Sequence, residues 1–61
     1  MHFTLSAVGR ELTVPIVAGV EGKFEDAVRI AEGILEREPA CESVEIFAEG
    51  HFLRDIARRL D

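Results

Sequence analysis

Between Gly22 and Pro39 the chain reads KFEDAVRIAEGILERE, and no other segment constrains the fold as tightly. At about 100° per residue, Phe24, Ala27, Val28, Ile30, Ala31, Ile34 and Leu35 fall in one arc, while Glu25, Asp26, Arg29, Glu32, Glu36 and Arg37 fill the rest. Pro39 ends the segment, because the residue before a proline is steered out of the α region. The spacing predicts an amphipathic helix over residues 23–38, and such a helix needs an apolar surface to lie on. Gly33 falls in the polar arc, where it is expected to be tolerated at a cost of about 1 kcal/mol relative to alanine.

That surface is predicted to be a sheet. Residues 2–8 (HFTLSAV) and 11–18 (ELTVPIVA) both alternate, with Phe3, Leu5 and Ala7 on one side and Leu12, Val14 and Ile16 on one side. Folded about Gly9 and Arg10, they pair Ala7 with Leu12, Leu5 with Val14 and Phe3 with Ile16, which makes a single apolar face. A turn over residues 8–11 aims the nitrogen of Pro15 outward, so this second strand belongs at an edge. Residues 43–48 (SVEIFA) alternate again, with Val44 and Ile46 inward and Glu45 and Phe47 outward. A crossover through the helix puts this third strand beside the first and parallel to the second, in the order 2-1-3.

The terminal segment supports two readings. As a helix from His51 it gathers Phe52, Leu53, Ile56, Ala57 and Leu60 on one stripe, with Arg54, Asp55, Arg58 and Arg59 opposite. As a hairpin turning at Glu49-Gly50 it pairs Phe47 with Phe52, Ile46 with Leu53 and Glu45 with Arg54, then fails where Val44 meets Asp55. The helix is the preferred reading. The expected fold is a single α+β domain over residues 1–61, a two-layer ββαβα arrangement with a three-stranded sheet and both helices on one face. The alternative is ββαββ with a C-terminal hairpin.

A chain of 61 residues buries only about 60% of the surface that its unfolded form exposes, so little of its core is dispensable. The one cysteine, Cys41, has no internal disulfide partner, which fits a reducing, cytoplasmic setting and a partly buried loop position. No stretch has the 18 or so apolar residues that cross a bilayer, so no membrane role is expected. The net charge of −5 is concentrated in residues 21–49, where nine acids face Lys23, Arg29 and Arg37. Such a surface repels a phosphate backbone, which disfavours direct nucleic-acid binding and suits a basic protein partner.

No constellation for chemistry emerges. His2, His51 and Cys41 have no metal-ligand spacing, Cys41 and His51 lack an orienting third residue, and GVEG lacks the lysine and hydroxyl of a phosphate loop. The chain is expected to be neither an enzyme nor a cofactor or metal carrier. Three surfaces are the candidates for function. One is an acidic face of Glu25, Glu32, Glu36, Glu38 and Glu42, with the first three within about 40° on the helix wheel. Another is the outer sheet face, with Val8, Val17 and Phe47. The last is the trio Arg54, Arg58 and Arg59, read as the solvent side of a docked helix. The leading reading is a non-enzymatic protein-binding module, with homodimerisation through the sheet face as one form of it. The second reading, by analogy of size and charge alone, is a phage-type inhibitor of the anti-CRISPR kind, whose carboxylates stand in for nucleic-acid phosphates in a basic groove.

Overall fold

The structure is a computed structural model that describes residues 1–58. Strand β1, His2–Val8, buries Phe3 and Leu5 and turns His2, Thr4, Ser6 and Val8 to the other side. Strand β2, Val17–Glu21, runs antiparallel to it, with Phe3 opposite Val20, Leu5 opposite Ala18 and Ser6 opposite Val17. This corrects both the span expected for the second strand, 11–18, and its register. The ladder starts beyond Pro15, so a residue without an N–H is never placed where one must be donated. Residues 9–16 form a loop instead, closed by an Ala7 N–H bond to the Ile16 carbonyl at 2.9 Å. Val14 is consequently exposed, and Ala18 and Val20 pack against the core.

Helix α1, Phe24–Arg37, follows the expected periodicity. The Asp26 carboxylate accepts the backbone N–H of Lys23 at 2.8 Å, and the Glu38 N–H closes the last turn on the Ile34 carbonyl at 2.9 Å. Ala27, Ala31 and Leu35 are buried, and Phe24, Val28 and Ile34 pack around them. Ile30 departs from expectation and is 44% exposed. It lies about 100° from the centre of the buried stripe, beyond the reach of the sheet. A Cβ at Gly33 would meet nothing within 4 Å. Gly33→Ala is therefore expected to stabilise the fold by about 1 kcal/mol, read as a rise of about 4–8 °C in the thermal midpoint.

Strand β3, Ser43–Ala48, pairs antiparallel with β1, placing Ile46 opposite Leu5 and Val44 opposite Ala7. It thus runs parallel to β2 with β1 between them, as the crossover argument requires. The last element is strand β4, His51–Ala57, and the sheet order is β2-β1-β3-β4. This replaces the expected second helix, so the fold is ββαββ, an antiparallel sheet with one helix on one face. Arg59, Leu60 and Asp61, assigned to that helix on sequence grounds, lie outside the described residues.

The hairpin succeeds because of one irregularity. Its turn takes Glu49 at φ 51° and Gly50 at φ 79°, the paired positive values of a tight two-residue connection. Phe47 pairs with Phe52, but Ile46 pairs with Arg54, so Leu53 is an unmatched extra residue, a β-bulge. The bulge shifts every later pair by one. Val44 now meets Ile56, and the buried mismatch with Asp55 disappears.

Leu5, Ile46, Val44 and Cys41 are the largest fully enclosed side chains, and Phe3 meets Phe24 edge-on at 6.1 Å. Cys41 is thus more enclosed than its loop position suggests, and its thiol donates to the Ser43 carbonyl at 3.1 Å. Among the described residues no helix is long and apolar enough to cross a membrane.

Candidate functional site

With α1 on one side, no helix or strand among the described residues covers the other face of the sheet. Strand pairing arranges its side chains in rows that cross the strands. One row is Gly19, Thr4, Phe47 and Phe52; the next is Val17, Ser6, Glu45 and Asp55. Phe47 and Phe52 meet edge-to-face, with centroids 5.7 Å apart and planes at 71°. Phe52 is 54% exposed on this face and not in the core, where a terminal helix would place it. The hairpin accounts for the difference, since its two-residue turn sets Phe52 opposite the outward Phe47, and the bulge that follows returns Ile56 to the inner side.

Beside this aromatic pair, Glu45 and Asp55 stand directly opposite each other on neighbouring strands. Like charges at such positions repel, and aspartate is also a poor strand former. Neither carboxylate takes part in an ion pair among the described residues, whose salt bridges are His2–Glu21 and Arg29–Asp26. Among the described residues no cation offsets this repulsion.

The residues singled out from the sequence are only partly brought together. Val8 and Val17 lie near one another at the far corner of the outer face, exposed, but Ser6 and Glu45 separate them from Phe47. Glu25, Glu32 and Glu36 form an exposed ridge along the flank of α1. Glu38 and Glu42 do not extend that ridge. Glu38 is the C-terminal cap residue of α1, and the Glu42 carboxylate accepts the Arg10 N–H at 2.9 Å, pinning the 9–16 loop.

Arg54 and Arg58 are not the solvent side of a helix, and Arg59 lies outside the described residues. Arg54 lies on the helix-facing side of the sheet, opposite Ile46, and Arg58 reaches the end of α1. The Arg58 guanidinium donates to the Leu35 carbonyl, to the Glu38 carbonyl at 3.0 Å, and to the Cys41 carbonyl at 3.0 and 3.2 Å. Cys41 and His51 sit at opposite ends of α1, the first near this cap and the second beside Lys23 and Phe24, so they form no dyad. Among the described residues no three histidine, cysteine or acidic side chains converge as a metal requires.

Asp55 and Phe52 are the surface residues that the sequence reading missed. The signal was present, since Phe47 and Phe52 flank a Glu-Gly turn symmetrically, but the bulge that aligns Asp55 with Glu45 has no local mark. No family model matches the chain, and no match to it was found among curated proteins or solved structures.

Proposed function

We propose that the chain is a non-enzymatic protein-binding module whose outer sheet face docks a basic segment of another protein. The observation that carries this reading is the opposed Glu45–Asp55 pair beside the Phe47–Phe52 aromatic pair. An arginine or lysine laid across that row would neutralise two carboxylates at once, and its stem or planar head would pack on the exposed ring of Phe52. A second copy of the chain supplies the wrong charge, since stacking two such faces would crowd four carboxylates into one desolvated layer. The net charge of −5 steers a cationic partner in the same sense.

The opposed pair of like charges offers a direct test. Asp55→Lys is expected to stabilise the free protein by about 0.2–1 kcal/mol through a cross-strand pair with Glu45, while weakening binding of an arginine-containing peptide. The checks are thermal unfolding and a peptide titration followed by backbone amide shifts in residues 43–57. Peptide binding that persists unchanged in Asp55→Lys, or in Phe52→Ala, would overturn the outer-face reading. A nucleic-acid mimic would behave differently, competing with DNA or RNA for its target.

A further inference from the structure

Among the described residues the helix-bearing side of the sheet is only partly covered. Helix α1 lies over β2, β1 and β3 and touches β4 at its margin alone. One helix is about 10 Å across and neighbouring strands are about 4.8 Å apart, so a single helix cannot shelter all four strands. What remains is a trough beside α1, over β4. Of the β4 residues only Ile56 is half-buried, and Leu53 is 46% exposed.

Two hollows adjoin along this trough. The one near the C-terminal half of α1, about 630 Å³, has Val28 and Leu35 on the helix wall, Ile56 on the strand, and Glu32, Glu36 and Arg54 at its rim. The one near the start of α1, about 780 Å³, is mostly apolar, with Phe3, Phe24, Leu53 and Met1. They meet where Phe24 and Val28 are one helical turn apart and Leu53 and Arg54 are consecutive. The bulge brings Arg54 to this side as well, opposite Ile46. The outer edge of β4 is itself a poor docking strand, since a bulge and an inward-facing charge, Arg54, are both features that block strand addition.

We infer that this trough is a seat for an amphipathic helix of a partner protein, lying alongside α1 as the missing second helix of the layer. Its apolar stripe would rest on Val28, Leu35, Leu53 and Ile56. Its charge pattern follows from the walls: Glu32 and Glu36 are four residues apart on α1 and call for lysines or arginines at the same spacing, and Arg54 calls for an acid on the opposite flank. A second copy of this chain cannot be the occupant. Its one helix already buries its apolar stripe on its own sheet, and its exposed ridge would set Glu25, Glu32 and Glu36 against the same acids.

This seat lies on the opposite side of the sheet from the Phe47–Phe52 pair, and the test keeps the two apart. The probe is a designed 14-residue amphipathic peptide, matched in length to α1, with leucines on one face and lysines at i and i+4 on its acidic-wall flank. The reference is a scrambled peptide of the same composition. Titration should shift the methyl resonances of Val28, Leu53 and Ile56, and the scrambled peptide should not. Glu32→Lys with Glu36→Lys should weaken the designed peptide about tenfold, and a peptide with glutamates in place of those lysines should regain the loss on that variant. Glu45→Gln with Phe52→Ala, two outer-face residues that line neither hollow, should leave the affinity unchanged. Shifts confined to Phe47 and Phe52, equal binding of the scrambled peptide, or indifference to the double reversal on α1 would each overturn the proposal.

Discussion

Gly9→Ala is expected to destabilise the fold by about 3 kcal/mol, lowering the thermal midpoint by about 12–24 °C in a domain of this size. A Cβ on Gly9 would lie inside the van der Waals contact of the Ala40 carbonyl oxygen and tight against the Ala40 carbon and the Glu42 nitrogen. All three are backbone atoms, so no side chain can swing aside. The strand end and the helix-to-β3 connection would have to separate. That separation strains the Glu42 N–H bond to the Val8 carbonyl at 2.8 Å and the Arg10 N–H bond to the Glu42 carboxylate at 2.9 Å. Gly9→Ala should therefore cost far more than Glu42→Gln, which keeps an acceptor oxygen for Arg10. Chemical denaturation of the two variants side by side is the measurement. Equal stability of Gly9→Ala and the parent would mean that the two connections do not touch.

The tie at Gly9 also explains what could be read from the sequence and what could not. The helix was legible because its period repeats over four turns and its ends are marked by Gly22 and Pro39. The strands β1 and β3 were legible for the same kind of reason, with alternation that the buried Phe3, Leu5, Val44 and Ile46 respect. Strand β2 was not, because 11–18 alternates as well as 17–21 does. The choice between them is made by Pro15 and by packing between the loop start and residue 40, which is a distant contact. The terminal segment misled for a different reason. A bulge inserts one residue into a two-residue period, and the resulting spacing of Phe52, Leu53 and Ile56 coincides with a helical stripe. Of the candidate surfaces, the acidic ridge of Glu25, Glu32 and Glu36 followed from helix geometry alone. The Glu45–Asp55 row depends on strand register, which no local pattern encodes.

Replacing Arg58 tests the other long-range tie, and Arg58→Ala is expected to cost about 2–3 kcal/mol. Every α-helix leaves its last carbonyls without internal partners, and here one guanidinium serves the Leu35 carbonyl in the last turn, the cap residue Glu38 and Cys41 beyond it. The positive charge also lies at the negative end of the helix dipole. Charge-assisted bonds of this sort contribute about 1.5–3 kcal/mol, and the part of Arg58 that is open to solvent holds the estimate below the sum of its contacts. The same residue anchors the end of β4, because its backbone N–H bonds the Glu42 carbonyl at 3.0 Å. Arg58→Lys should recover only part of the loss, since an ammonium keeps the charge but lacks the planar fork that reaches carbonyls on both sides of the cap. Hydrogen exchange makes the outcome specific. Loss of the cap should raise exchange in the last turn of α1 and along β4 while leaving β1 and β2 protected, and raised exchange in β1 and β2 alone would refute the assignment of Arg58 as the clamp between helix and hairpin.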